Sequence, residues 1–172
     1  ILKNKKNLRL LKFTKNMLPK KHQLSSKSIV GGLLIQNYDN KKDSIEDWIS
    51  VTKKNPSDQE LSDLKFAWQI CKHVKSNGIV VAKNLKTIGI GAGQMNRVGA
   101  AKIALEAAKE VSLGSVLASD GFFPFADTVE IAHKYGIKSI IQPGGSLRDE
   151  ESIAMCDSKG ISMILTKRRH FL

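Results

Sequence analysis

The sequence predicts an α/β fold, a three-layer α-β-α sandwich, and three features carry that expectation. The first is a β-hairpin: the β-branched runs Ile79-Val80-Val81-Ala82 and Thr87-Ile88-Gly89-Ile90 flank a polar Lys83-Asn84-Leu85-Lys86 turn. The second is the alternation that follows, a helical pattern and then a short apolar run, repeated to the end of the chain. The third is a set of loops at 91–97, 119–127 and 142–148, rich in Gly, Pro, Phe or polar residues where a plain connection could be short. Ligands collect at the carboxyl ends of strands in such sheets, so these loops form the candidate site.

The elements follow in order. Leu8, Leu10, Leu11 and Phe13 make an apolar run over 7–13 that fits a strand, and 16–26 is a polar loop broken by Pro19. Within 28–36 the pair Gly31-Gly32 stands ahead of an apolar run that reads as a buried strand, the glycines marking a bend or a close backbone approach. A short helix is expected over 43–52, presenting Ile45, Trp48 and Ile49 on one face. Ser57 and Glu60 form a capping box for a helix to about Lys75, whose stripe is Leu61, Leu64, Trp68, Cys71 and Val74. Trp68 reads as core and His73 as solvated near the helix end. After the hairpin come an alanine-rich helix over 98–110 and a strand over 116–119. Asp127 then caps a helix through Tyr135 that Gly136 closes, and a strand spans 139–142. Ser146 and Asp149 resemble a capping box for a helix to Ser158 closed by Gly160, and the last strand covers 161–166.

Composition narrows the function classes. A chain of 172 residues with 41% hydrophobic content buries one ordinary core. It holds no apolar run long enough to span a bilayer and no signal-peptide core, which points to the cytosol and away from membranes. Cys71 and Cys156 lack partners at metal-ligand spacing and read as buried free thiols. Of the net charge of +12, 9 units lie in residues 1–27, which contain nine Lys/Arg and no acid. The chain therefore divides into a basic segment, 1–27, and a main unit, 28–172. Lysines without interleaved aromatics give weak, salt-sensitive phosphate attraction, so nucleic acid is not the favoured partner. A basic nucleic-acid-binding module remains the alternative reading, and the Ile at position 1 suggests a fragment in which the basic segment is a remnant of a preceding half.

Several motifs carry two readings. Gly89-Ile-Gly-Ala-Gly93 lacks the Gly-x-Gly-x-x-Gly spacing of a dinucleotide fold and the Gly-Lys-Ser/Thr of a P-loop. Its glycines either clear room for a ligand at a helix N-terminus or allow tight helix–sheet packing. Phe122, Phe123 and Phe125 either plug the sheet or wall a flat heteroaromatic ligand. Arg97 opposes the dipole at a helix start, so it is either solvated or holds an anionic or carbonyl oxygen. The 167–170 run Lys-Arg-Arg-His is either a solvated end or a phosphate-binding cluster. Hairpin, helix, strand, helix is also the order of elements in zinc nucleobase deaminases, but their ligand positions here hold Gln94-Met-Asn-Arg97 and Phe122-Phe-Pro-Phe125. Those residues do not supply the His/Cys set, which makes the scaffold cytidine-deaminase-like and zinc-free.

Five ordered motifs then identify a resemblance. They are Lys72-His-Val-Lys-Ser-Asn77, Gly89-Ile-Gly-Ala-Gly-Gln-Met-Asn-Arg97, Ala118-Ser-Asp-Gly-Phe-Phe-Pro-Phe-Ala-Asp127, Ile141-Gln-Pro-Gly-Gly-Ser-Leu-Arg-Asp-Glu-Glu151 and Thr166-Lys-Arg-Arg-His-Phe171. Together they resemble the C-terminal part of the bifunctional aminoimidazole carboxamide ribonucleotide (AICAR) transformylase/inosine monophosphate (IMP) cyclohydrolase family. The resemblance implies a duplicated, zinc-free cytidine-deaminase-like transformylase domain in a homodimer, with 10-formyltetrahydrofolate as co-substrate. It implies that Asn77 and Arg97 bind the carboxamide side of AICAR, that Phe122 packs on its ring, and that Arg169 and Phe171 hold the nucleotide, with Arg169 near the phosphate. Val98, Pro124, Phe125, Asp127 and Ser146 would line the folate side. The family's catalytic Lys-His-x-Asn-Pro segment has no counterpart in this chain, Lys72-His73 being a different, helical site. No catalytic residue is therefore assigned, and the chain alone is expected to be inactive. Ala126 replaces a common arginine, and the family usually ends on a histidine one residue beyond Leu172. A decayed homologue kept for subunit association is a further alternative.

Overall fold

The computed structural model describes residues 7–14, 24–39 and 43–171. The chain divides into two compact units, Ile1–Lys42 and Asp43–Leu172. In the first, strands β1 (Leu24–Ile29) and β2 (Gly32–Asn37) pair antiparallel, from Leu24 opposite Asn37 to Ile29 opposite Gly32. Gly31, at φ +81°, reverses the chain between them, a left-handed conformation that glycine adopts without steric cost. The apolar run after the glycines is thus a strand as expected, but it is the second arm of an exposed hairpin and not a buried strand. Its Leu33, Leu34 and Ile35 are exposed, because apolar residues alternate onto both faces of a two-stranded ribbon. Residues 7–14 form no strand, since their apolar run has no ladder partner among the described residues. Of the loop expected over 16–26, residues up to 23 lie outside the described residues, and from Leu24 onward it is β1.

The second unit contains β3 (Ile49–Ser50), α1 (Asp58–Cys71), β4 (Ile79–Lys83), β5 (Lys86–Gly91), α2 (Arg97–Ala108), β6 (Val116–Ser119), α3 (Asp127–Lys134), β7 (Ser139–Gln142), α4 (Asp149–Lys159) and β8 (Ser162–Leu165). Its six strands lie in the order β3-β8-β7-β6-β4-β5. Strands β6, β7 and β8 are parallel, while β4 runs antiparallel to both neighbours and β3 antiparallel to β8.

Alternation along the strands builds the layers. Val80, Ala82, Val116, Ala118, Ile141 and Ile164 pack with Leu64, Ala67, Trp68 and Cys71 of α1. Their neighbours Ile79, Val81, Leu117, Ile140 and Met163 join Ala100, Ala104 and Leu105 of α2, Val129 of α3 and Cys156 of α4 in a second core. Both strand faces are apolar because both are covered, and the unit is the expected three-layer α-β-α sandwich.

Local chemistry explains most boundaries. Ser57 Oγ accepts from Glu60 N at 3.2 Å while Glu60 Oε2 accepts from Ser57 N at 2.8 Å, the reciprocal box that starts α1. The helix ends at Cys71 rather than near Lys75, and Val74 still packs into the core from the following turn. The hairpin turn places Asn84 and Leu85 at φ +52° and +56°, and the carboxylate of buried Asp63 accepts both backbone N–H groups, at 3.0 and 2.8 Å. The helix expected over 43–52 is a single 3-10 turn, Ile45–Asp47, followed by β3. Pairing of Ile49 with Leu165 and Ser50 with Ile164 satisfies a backbone too short to propagate a helix. Ala126 occupies the cap position of α3, with Asp127 one residue inside, its Oδ1 accepting from Thr128 N at 2.7 Å. At α4, Ser146 Oγ accepts from Arg148 N and Asp149 Oδ2 from Gly145 N, so the expected box is replaced by two bonds within the loop. Gly160, at φ +64°, closes α4 as expected.

Candidate functional site

Because β4 is antiparallel to both β5 and β6, strand β5 points the same way as β6, β7 and β8. The carboxyl ends of these strands and the amino end of β4 therefore share one sheet edge. Five segments meet there: 72–78, 91–97, 119–127, 142–148 and 166–171. Backbone bonds knit them together, from Gly93 N to Lys75 O at 2.7 Å, Asp120 N to Gly78 O at 3.2 Å, Lys167 N to Pro143 O at 2.9 Å and His170 N to Asp120 O at 2.9 Å.

The glycine run resolves into two roles. A Cβ at Gly89 would stand 1.9 Å from Ala104 O, and one at Gly91 1.9 Å from Ala100 O. These two glycines let α2 lie directly on β5, so the packing reading holds there and the ligand-clearance reading does not. Gly93 differs: at φ +64° it turns the chain and is exposed. Asn96 Oδ1 then caps α2 by accepting from Gly99 N at 2.7 Å.

Arg97, the first residue of α2, is not solvated. Its Nε donates to Ser119 Oγ at 2.8 Å and its Nη2 to Asp120 Oδ1 at 2.6 Å, with the arginine side chain only 10% exposed and the aspartate 0%. A Cβ at Gly121 would lie 2.4 Å from Nη2, so the guanidinium rests on the bare backbone of that glycine. Asn77, which follows a cis peptide bond, donates its side-chain amide to Gln94 O at 2.8 Å. The structure thus sets Asn77 against the glycine turn and Arg97 against the β6 loop, in segments that share the edge.

The phenylalanines divide by position. Phe123 is fully buried in the core below α2 and α3, with its N–H donating to Gln142 Oε1 at 3.2 Å. Phe122 is half-buried, and the Arg169 guanidinium carbon lies 4.8 Å from its ring centroid. Phe125 is 50% exposed beneath Arg148, also at 4.8 Å. The plug reading therefore holds at Phe123, while Phe122 and Phe125 keep part of their surface exposed, each beneath an arginine. Val98 and Ser146 are half-buried, while Pro124, Asp127 and Phe171 are exposed.

The 167–170 run does fold back onto the loops. Besides its backbone bonds, Arg168 Nη1 donates to Asp43 Oδ1 at 3.2 Å, and His170 is buried with its ring 4.4 Å from that of Trp68. Arg169 remains exposed between Phe122 and Gly145. Sequence reasoning missed Ser119, Asp120 and Gln142, whose roles depend on three-dimensional neighbours. The one available signal was an Asp-Gly pair directly after a buried strand. The adjacent Cys71 thiol is pushed far above its ordinary value by burial, with the Asp120 charge adding and Arg97 opposing. Among the described residues, no three or more His, Cys, Asp or Glu are grouped to hold a metal ion, and no helix is long and apolar enough to cross a membrane.

Comparison with known families matches residues 1–107 to the AICARFT/IMPCHase bienzyme. The chain belongs to that family. It is 74% identical over its whole length to the bifunctional purine biosynthesis protein PurH of Prochlorococcus marinus strain MIT 9515, and 59% identical to that of strain NATL1A. In both cases it covers 33% of the relative, so the chain spans about a third of the length of these bienzymes. Among solved structures it is similar to the dCMP deaminase of cyanophage S-TIM5, with a TM-score of 0.41 and 16% identity over 63% of this chain and 98% of that one. Acinetobacter baumannii RibD, form 2, gives a TM-score of 0.41 and 17% identity over 62% of this chain and 34% of that one.

Proposed function

We propose that this chain is the C-terminal part of the bifunctional purine biosynthesis enzyme. It would carry one wall of the transformylase site, where the formyl group of 10-formyltetrahydrofolate passes to the 5-amine of AICAR on the way to IMP. The observation that supports this reading best is the arginine at the start of α2, held by Ser119 and Asp120 at the edge where all five loops meet.

In this reading Asn77 and Arg97 hydrogen-bond the carboxamide of AICAR. Phe122 stacks on the imidazole ring, and Arg169, already lying over Phe122, reaches the phosphate with Phe171 beside it. Val98, Pro124, Phe125, Asp127 and Ser146 face the folate. The aromatic amine of AICAR is a weak nucleophile, so holding it against the formyl carbon supplies much of the rate. A carboxamide fixed by charge-assisted bonds also keeps the amine in the ring plane and directed at its target. The proton-transfer residues and the opposite wall belong to the other transformylase half and to a second subunit of a homodimer.

The test is a titration of the chain with AICAR, paired with a formyl-transfer assay. Saturable AICAR binding without turnover is expected, and turnover near that of an intact bienzyme would overturn the assignment of the catalytic residues elsewhere. A parallel titration with duplex nucleic acid at two salt concentrations separates the basic-module reading. Salt-sensitive, sequence-indifferent binding of the duplex with no AICAR binding would favour that module instead.

A further inference from the structure

We infer that Asp120 is a positioning residue, fixing the direction in which Arg97 presents its guanidinium to the substrate. This rests on the AICAR-binding reading above. Asp120 is fully buried, and its own place is pinned by the backbone on both sides, through Gly78 O at 3.2 Å and His170 N at 2.9 Å. Its Oδ1 takes Nη2 of Arg97 at 2.6 Å while Ser119 Oγ takes Nε at 2.8 Å, and the Ser119 hydroxyl is itself oriented by donating to Gly121 O at 2.7 Å. A guanidinium is planar and carries its five N–H groups in a rigid fork, so anchoring Nε and Nη2 to consecutive residues fixes the whole plane. That leaves Nη1, which bonds to none of the described residues, for a ligand.

Two further observations favour positioning over simple packing. Asp120 Oδ2 is buried with no hydrogen-bond partner among the described residues, a costly state that an apolar residue of similar volume would avoid. Arg97 also stands at the first position of α2, where the helix dipole disfavours a cation, and among the described residues the carboxylate ion-paired to it is that of Asp120. An arginine with no counter-charge there would turn away to solvent. The pair therefore holds a cation in a direction that neither the helix nor water would choose.

The experiment is a double-mutant cycle on this chain using Asp120→Asn and Arg97→Ala, read by AICAR affinity in calorimetry and by solvent exchange of the Arg97 Nε–H in 15N NMR. Asp120→Asn keeps the shape and backbone bonds of the residue. It should weaken AICAR binding by about tenfold or more, the scale of a lost charge-assisted bond, and do nothing further once Arg97 is alanine. Exchange at Arg97 Nε should accelerate in the same variant. Unchanged affinity and exchange, or an equal loss in the Arg97→Ala background, would overturn the inference. If the Asn variant does not fold, Asp120→Ser removes the carboxylate from Nη2 with a smaller polar side chain, and the same two readouts decide. Should the unaltered chain fail to bind AICAR, the functional reading fails, and Nε exchange in Asp120→Asn still decides whether Asp120 locks the guanidinium.

Discussion

At Gly91 and Gly93, two glycines a residue apart do different work. A methyl group at 91 would enter the Ala100 carbonyl at 1.9 Å, whereas one at 93 meets only the Lys75 side chain at 3.5 Å in a left-handed backbone. Gly91→Ala should therefore cost about 2 kcal/mol or more by forcing α2 off the sheet, and Gly93→Ala about 1 kcal/mol of backbone strain, as urea unfolding will measure. The sequence showed the glycines but not this division, because spacing reports a need for small residues without naming the neighbour that imposes it. The cysteines were more legible, since each sits in an apolar helical stripe. Both are fully buried, and burial with the nearby Asp157 charge pushes the Cys156 thiol up from 9.0 to about 12. A thiol kept neutral in the fold contributes its stability fully below pH 9.0, and that contribution fades as pH rises toward about 12. Thiol reagents should label both cysteines only on unfolding, and Cys156→Ala should flatten part of the alkaline loss of stability above pH 9.0. Rapid labelling of the native chain would contradict this.

Among the elements, the start of α1 was read correctly from Ser57 and Glu60, though not its end at Cys71, because a capping box is a local device whose partners are fixed by spacing. Burial acts to raise the Glu60 pKa, but the Ser57 N–H and the Lys54 ammonium outweigh it, and the carboxyl lies below its ordinary 4.5. A depressed carboxyl contributes stability above its unfolded value that is lost as pH falls through the folded one. Ser57→Ala should cost about 1 kcal/mol, and Glu60→Gln should remove part of the acid limb of the stability curve below pH 4.5. The hairpin was equally visible, yet not the reason a leucine can occupy its left-handed turn. That reason is Asp63, 22 residues upstream of Leu85, and Asp63→Ala should loosen the turn and cost about 1 to 3 kcal/mol in chemical denaturation. The mistaken burial within 28–36 and the mistaken helix over 43–52 share one cause. Short apolar runs do not say which partner they pair with, and pairing made one an exposed hairpin arm and the other an edge strand on β8.

For the molecule as a whole, the alternation of helix and strand fixed the sandwich, and the rule that ligands collect at carboxyl strand ends selected the loops that do converge. Residue types alone left the fifth segment open, and it was the family resemblance that pointed to Arg169 and Phe171. The 167–170 run read equally well as a solvated tail, and only its bonds to Pro143, Asp120 and Asp43 bring Arg169 over Phe122. The most direct measurement of the central claim is a 15N–1H correlation spectrum of the chain during titration with AICAR. Saturable shifts should group at Asn77, Arg97, Phe122, Arg169 and Phe171. Shifts confined to the basic residues 1–27, or none at ligand concentrations of about 1 mM, would contradict it.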